Sequence, residues 1–181
     1  MPIKSIHTPR LKLRPFTMAD VDTFFKILTE PGIMRYFPNS DTPTYARVEK
    51  IIKDQMKHYQ DHQFGWWAVE EIDVGKLIGW NGLQYLPETN EVEVAYLLSR
   101  KKWGQGLASE GAQASLQFGF EVLQLETIIG ITHLENKASQ KVLEKIGMHS
   151  RERNHYFGMD CYKYIIHNPK HSSEPSADKP Q

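Results

Sequence analysis

The chain has 181 residues, a length that suits one domain with at most a short tail. Its 22 lysines and arginines balance its 22 aspartates and glutamates, so we expect no direct nucleic-acid partner, which would favour a basic excess. No stretch approaches the roughly 20 apolar residues of a spanning helix, and the N-terminus lacks a signal peptide's apolar run. Cys161, the only cysteine, excludes an intramolecular disulfide framework and a cysteine-rich zinc module. We therefore expect a globular, cytoplasmic protein with no membrane segment.

Hydrophobic periodicity and turn residues predict a mixture of helices and strands. The predicted strands are 11–14, which we place at the sheet edge, and then 65–70, 76–83, 91–99, 127–131, 149–157 and 159–167. The predicted helices are one between Thr17 and Pro31, followed by 45–62, 107–123 and 136–146. Small residues share one stripe of the third helix, which would let it pack closely on a sheet: Ala108, Gly111, Ala112 and Ser115.

This order of elements indicates an α/β or α+β fold built on one mixed sheet. We expect a single domain over residues 1–167. Residues 168–181 are rich in Pro, Ser, Lys and Glu and almost without apolar side chains, so we expect a disordered tail there.

The most informative segment is the loop that leads from the strand at 91–99 into the helix at 107–123. It reads Trp103-Gly104-Gln105-Gly106-Leu107-Ala108. Such a loop can aim several backbone N–H groups at one point, and the dipole of the following helix favours an anion there. Glycine permits close approach and positive φ. The Walker and Rossmann patterns of nucleotide-binding proteins are absent, and an ordinary helix start with two structural glycines is the alternative.

Four segments, at matching order and spacing, resemble the GNAT superfamily of acyl-CoA N-acyltransferases. The closer resemblance is to the branch that contains ribosomal-protein N-terminal acetyltransferases. The segments are residues 8–15 followed by Asp20, Glu93-Val94-Ala95-Tyr96, residues 103–110, and Asn136-Lys137-Ala138-Ser139 with Gly147-Met148. Ala95, Trp103 and Met148 depart from the superfamily's common residues, although Trp103 is usual in this branch, and none of these changes removes a functional side chain.

The resemblance implies a single-domain GNAT fold, in which helices flank a mixed, largely antiparallel sheet and the fourth and fifth strands (91–99 and 127–131) splay apart. It implies transfer of an acetyl group from acetyl-CoA to a primary amine, by direct attack in a ternary complex and without a metal. It implies Glu93 as base, directly or through a water, and Ser139 as acid toward the thiolate. The implied cofactor-binding residues are Leu97, Leu98, Trp103, Gly104, Gln105, Gly106, Leu107, Ala108, Ser109, Asn136 and Ser139.

Several alternatives stay open from the sequence. On the same fold, the chain could be a catalytically silent CoA-binding module that regulates a partner. Glu93 could be a solvated strand residue, and Ser139 an ordinary first-turn serine. The acceptor could be a protein N-terminus, a peptide, a polyamine, an antibiotic or an amino-acid derivative, and the protein a monomer or a homodimer. We interpret His58 and His62 as solvated histidines, because no third ligand accompanies them, and Cys161 as structural.

Overall fold

The structure, a computed structural model, describes residues 5–170. Its strands are β1 (Ile6–His7), β2 (Leu11–Arg14), β3 (Trp66–Glu71), β4 (Lys76–Leu86), β5 (Glu91–Leu98), β6 (Thr127–His133), β7 (His149–Tyr156) and β8 (Met159–His167). Its α-helices are α1 (Val21–Leu28), α2 (Tyr45–His62), α3 (Leu107–Glu121) and α4 (Lys137–Lys145). Two 3-10 turns, Met18–Asp20 and Arg100–Lys102, precede α1 and α3. Each predicted element is present, and β1 is additional.

The strands form one sheet in the order β1-β2-β3-β4-β5-β6-β8-β7. Neighbouring strands are antiparallel except β5 and β6, which are parallel. The predicted mixed, largely antiparallel sheet is therefore confirmed. The predicted fourth and fifth strands are β5 and β6. Over the described residues they pair at a single position, Glu93 opposite Ile129, so they diverge toward the C-terminal end of β5.

The edge of the sheet differs from the prediction, which places residues 11–14 there. β1 pairs with the outer side of β2, with Ile6 opposite Leu13 and His7 opposite Lys12. β1 is only two residues long, and a segment this short carries no readable hydrophobic period. β2 is therefore an inner strand that has a neighbouring strand on each side.

Helices cover both faces of the sheet. Because successive strand residues point to opposite faces, Trp80 and Asn81 on β4 identify the two layers. Trp80 packs in the apolar cluster that α1 and α2 cover, together with Phe24 and Ile52. Asn81 faces α3, where the Ser115 hydroxyl donates a 2.8 Å hydrogen bond to its Oδ1.

The stripe of small residues on α3 explains how closely this helix approaches the sheet. A Cβ added at Gly111 would lie 2.9 Å from Nδ2 of Asn81, and one added at Gly119 would lie 2.6 Å from Cδ1 of Ile128. Larger side chains at these positions would force the side chains of Asn81 and Ile128 to move. The predicted role of the stripe in close packing is therefore confirmed, and α3 is held firmly behind the loop that precedes it.

The end of β8 is held in place by a buried residue. Asn168, the first residue of the expected tail, is only 1% exposed. Its Nδ2 donates to the carbonyl of Leu125 at 3.1 Å, which fixes the end of β8 to the segment after α3. Residues 171–181 lie outside the described residues. None of the four α-helices described has the length and apolar character needed to cross a membrane.

Candidate active site

The loop between β5 and α3 has the backbone that its glycines allow. Gly104 and Gly106 have φ of +72° and +77°, in the left-handed region where glycine is favoured. Within residues 5–170, the backbone N–H groups of residues 104–109 have no hydrogen-bond acceptor. These unpaired donors gather at the N-terminus of α3, where the helix dipole adds partial positive charge. The loop therefore has the chemical character of an anion site.

Three side-chain contacts hold this loop in place. The indole Nε1 of Trp103 donates to the carbonyl of Leu98 at 2.7 Å, which ties the loop to the end of β5. Arg10 Nη1 donates to the carbonyl of Gln105 at 2.9 Å. Arg10 is itself held by Glu110, with Nη2 2.6 Å from Oε2. Glu110 is thus structural, whereas the contribution of Arg10 requires a contact between distant parts of the chain that no local pattern predicts.

A cavity of about 410 Å³ opens beside this loop and runs along the end of β5. It is lined by all of the predicted cofactor-binding residues except Gln105: Leu97, Leu98, Trp103, Gly104, Gly106, Leu107, Ala108, Ser109, Asn136 and Ser139. Gln105 turns aside, and its Nε2 donates to the carbonyl of Lys101 at 3.0 Å. Two further lining residues, Tyr36 and Phe37, come from the segment between α1 and α2.

A second cavity, of about 240 Å³, adjoins the first and is lined by residues of both β5 and β6. Glu93 and the stacked rings of Trp66 and Trp80 line it. The two cavities share five lining residues, which therefore form their junction: Tyr36, Phe37, Tyr96, Asn136 and Ser139. A molecule in each cavity would bring its end to this junction, an arrangement suited to group transfer.

Glu93 lies where β5 and β6 begin to separate, and it is 6% exposed. Burial raises the pKa of its carboxyl to about 8, against the smaller opposing effect of a hydrogen bond from the backbone of Ile131. A carboxylate with this pKa is a much stronger base than an ordinary glutamate. The alternative of a solvated strand residue does not describe this side chain.

Asn136 and Ser139 begin α4 at the cavity junction. Oδ1 of Asn136 accepts a 3.1 Å hydrogen bond from the backbone N–H of Ser139, so Asn136 is the N-cap of α4. This contact uses only the oxygen of the Asn136 amide. Within residues 5–170 its Nδ2 has no hydrogen-bond partner, so a donor remains beside both cavities.

Tyr96 is the residue at the junction whose role sequence reasoning missed. Its hydroxyl lies 3.0 Å from Oγ of Ser139 and donates to the Ser139 carbonyl at 3.2 Å. Burial, together with the nearby carboxyl of Glu93, raises the pKa of the Tyr96 phenol well above its usual value, against the effect of Ser139. The phenol therefore keeps its proton. The sequence signal was present in the Glu-x-x-Tyr spacing of β5, but the pairing with Ser139 spans 43 positions.

The weaker sequence candidates lie away from this junction. The rings of His58 and His62 are 4.5 Å apart on α2, and no group of three potential metal ligands occurs in residues 5–170. Cys161 is fully buried on β8. Burial raises the pKa of its thiol, which opposes thiolate formation.

Comparison with known proteins identifies the family. Residues 10–149 match the family described as Acetyltransferase (GNAT) domain. YkkB of Bacillus subtilis is 30% identical over 145 residues, which cover 78% of this chain and 83% of that protein. A GNAT-family acetyltransferase from Bacillus anthracis superposes with a TM-score of 0.80 at 26% identity, over 91% of this chain and 99% of that one.

The fold is also that of RimL, a ribosomal L7/L12 alpha-N-protein acetyltransferase solved in complex with coenzyme A. The TM-score is 0.78 at 14% identity, over 91% of this chain and 98% of that one, so this likeness is one of fold. The family match covers all four sequence motifs apart from Thr8 and Pro9 at the start of the first. The chain therefore belongs to the GNAT family of acetyltransferases.

Proposed function

We propose that this protein is an N-acetyltransferase, which moves the acetyl group of acetyl-CoA to a primary amine by direct attack in a ternary complex. The observation that carries the proposal is the junction of the two cavities. The larger cavity joins this junction to the unpaired backbone amides of the loop, which suit a diphosphate. The smaller cavity joins it to the carboxyl group of Glu93, which suits an amine. GNAT enzymes use acetyl-CoA, and a spermidine N(1)-acetyltransferase of Escherichia coli is 26% identical over 141 residues, 76% of this chain and 72% of that protein.

The cofactor side of the proposal rests on residues 97–109. The unpaired N–H groups of residues 104–109 would bind the diphosphate, and the gap beyond Glu93 would admit the pantetheine arm beside Leu97 and Leu98. The Leu98 carbonyl already accepts from Trp103, so it has one lone pair left for that arm. The charge of Lys102 is largely neutralised by Glu71 at 2.5 Å, so Lys102 would add little to the binding of the diphosphate.

Glu93 would remove the proton that the amine must lose before it attacks. A lysine-type amine has a pKa near 10.4 and an α-amine near 7.7–8.0, so each arrives wholly or partly protonated at neutral pH. The raised pKa of Glu93, about 8, brings the two groups close to each other in proton affinity. The positive charge of a bound amine favours the ionised carboxylate, which then accepts the proton directly or through a water.

Ser139 would protonate the departing thiolate, whose pKa is near 8.5 for a free thiol. Tyr96 lies 3.0 Å from the same oxygen and keeps its own proton, so it would serve as the second donor of the pair. Acetyl-CoA supplies the activated acetyl group, and the diverging strands leave β5 backbone amides near the junction as candidate oxyanion donors. The use of acetyl-CoA and the free buried thiol of Cys161 support a cytoplasmic setting.

The experiment measures the release of free thiol from acetyl-CoA in the presence of a panel of primary amines. The melting temperature of the protein in the presence of CoA is measured in parallel. Acetyl-CoA should raise the melting temperature, since it binds only the folded state. Glu93→Gln and Ser139→Ala should keep that rise and lose turnover, by about 10²–10⁴-fold for the base. A rise without amine-dependent thiol release in the wild type would instead identify a silent CoA-binding module. No rise at saturating acetyl-CoA would overturn the assignment.

A further inference from the structure

The space beside Gly106, in the loop before α3, is bordered by positive charge. A Cβ added at Gly106 would point into this space, and within residues 5–170 only two heavy atoms outside its chain neighbours would lie within 4 Å of it. They are Nη2 of Arg10 at 3.7 Å and Nζ of Lys145 at 3.9 Å. Because this loop is the one assigned to the diphosphate, an inference about the space rests on the proposed function.

Lys145, and not Arg10, supplies the unbalanced charge at this position. Arg10 forms an ion pair with Glu110, with the two atoms 2.6 Å apart. Lys145 is the last residue of α4 and is exposed, and within residues 5–170 its ammonium group has no acidic partner. Glu144, the acidic residue of α4, instead accepts a hydrogen bond from the hydroxyl of Tyr164 at 3.2 Å. The ammonium group of Lys145 is therefore available to an anion.

A second lysine, Lys141, precedes Lys145 by one helical turn. It is exposed, it lines the larger cavity, and within residues 5–170 it also has no acidic partner. Residues four apart share one face of a helix, where two like charges are destabilising. The lysines of α2 are arranged differently, because Lys50, Lys53 and Lys57 each form an ion pair with an acidic residue four positions away. An anion bound by both Lys141 and Lys145 would remove their repulsion.

The helix α4 extends from the junction of the two cavities to the glycine loop. Asn136 and Ser139, at its start, line both cavities. Lys141 lines the larger cavity, and Lys145 lies beside Gly106. From Ser139 to Lys145 the helix rises by about 9 Å along its axis. The order of these residues matches the order of the parts of acetyl-CoA, whose thioester would lie at the junction and whose nucleotide would lie at the loop.

We propose that Lys141 and Lys145 bind the 3′-phosphate of the coenzyme's adenosine and thereby distinguish CoA from 3′-dephospho-CoA. CoA has two anionic parts, a diphosphate and this phosphate monoester. The unpaired amides of residues 104–109 would bind the diphosphate, so the monoester needs other partners. A phosphate monoester on a side chain carries a charge of about −1.5 to −2 at pH 7, which two ammonium groups can balance. Lysine binds phosphate as a compact positive charge.

The test is calorimetric titration of the protein with CoA and with 3′-dephospho-CoA, which lacks only the 3′-phosphate. The wild type should bind CoA about tenfold or more tightly than dephospho-CoA. The double variant Lys141→Gln/Lys145→Gln should bind CoA about tenfold more weakly than the wild type does and dephospho-CoA within about twofold. Lys137→Gln, one turn earlier on α4, is the matched control, since Nζ of Lys137 donates to the carbonyl of Leu134 at 3.3 Å. This variant should change either affinity by less than about twofold.

Two results would overturn this inference and leave the proposed coenzyme site intact. Equal affinities of the wild type for CoA and dephospho-CoA would mean that the protein does not bind the 3′-phosphate. An equal loss of affinity for both coenzymes in the double variant would mean that the two lysines act on the diphosphate or through the overall charge of the protein. If the wild type binds neither coenzyme, the proposed function fails together with this inference. The melting temperature of the double variant without ligand, compared with that of the wild type, shows that the variant is folded.

Discussion

Replacing Glu93 by glutamine should make the folded protein more stable at neutral and alkaline pH while abolishing its proposed role as base. Glu93 has a pKa of about 8 in the folded protein, against the ordinary value of 4.5. Between these two values the folded state holds a proton that the unfolded state has released. The free energy of unfolding therefore decreases as pH rises from about 4.5 to 8, and this contribution levels off above pH 8.

The size of this effect follows from the pKa difference. At pH 7 the linkage amounts to at most about 3 kcal/mol, and above pH 8 to at most about 5 kcal/mol. Water penetration and local relaxation reduce such values, so we expect about 2 kcal/mol at pH 8. Glutamine has nearly the same shape and no charge, so Glu93→Gln removes this pH-dependent cost. For a domain of this size the gain corresponds to a rise in melting temperature of roughly 4–8 °C.

The assay is thermal unfolding followed by circular dichroism at pH 5, 6, 7 and 8, for wild type and variant. The difference between the two should be small at pH 5 and grow steadily to pH 8. Glu91→Gln, two residues away on β5, is the matched control. Although burial alone would raise its pKa, hydrogen bonds from Lys163 and Tyr156 hold the pKa of Glu91 below its usual value. This variant should therefore be less stable than wild type at neutral pH, the opposite sign.

The catalytic counterpart is measured on the same proteins. The value of kcat/KM for the wild type should increase with pH up to about 8, as Glu93 loses its proton, and level off above it. Glu93→Gln should show low activity without this rise. If the melting temperatures of wild type and Glu93→Gln change with pH in parallel, the carboxyl is not desolvated in the way described, and the account of the base is wrong.

Three further predictions concern the loop, the core and the junction. Gly106→Ala should weaken CoA binding by roughly fivefold to tenfold in calorimetry, because alanine at φ of +77° is strained. The control Gly75→Ala, at φ of +59° in the β3–β4 turn, should not weaken CoA binding. Equal effects of the two variants on CoA binding would refute the role of the loop. Ser115→Ala should lower the free energy of unfolding by about 1–3 kcal/mol in chemical denaturation, since it leaves Oδ1 of Asn81 buried without its 2.8 Å donor. An unchanged free energy of unfolding would mean that another donor replaces the Ser115 hydroxyl. Tyr96→Phe should lower kcat by about tenfold or more with little change in KM, and an unchanged kcat would remove the phenol from the mechanism.

Much of the fold could be predicted from local sequence. The bounds of α2 agree with the prediction because Thr44 caps it at one end and the apolar positions repeat at helical spacing over 18 residues. The φ values of Gly104 and Gly106 follow from their residue type. The family was readable because four short motifs keep their order and spacing, and each motif depends only on neighbouring residues.

The functional junction could be predicted only in part. Glu93 and Ser139 were candidates by resemblance, but the buried state of Glu93 depends on how β5 and β6 diverge, and the contact of Ser139 with Tyr96 joins residues 43 positions apart. Arg10 reaches the loop at Gln105 from the other end of the chain. Such contacts are set by the packing of whole elements, which no local period encodes.

Local sequence was enough to predict the order of the elements, the positions of the turns and the chemistry of the glycine loop, because these depend on periodicity and backbone preference within a few residues. Packing of the whole chain sets which side chains share a cavity. It brought Trp66, Trp80 and Phe157 to one cavity with the carboxyl group of Glu93. The physical reason is that desolvation and shape are properties of a closed volume, and residues from distant segments must pack together before that volume exists.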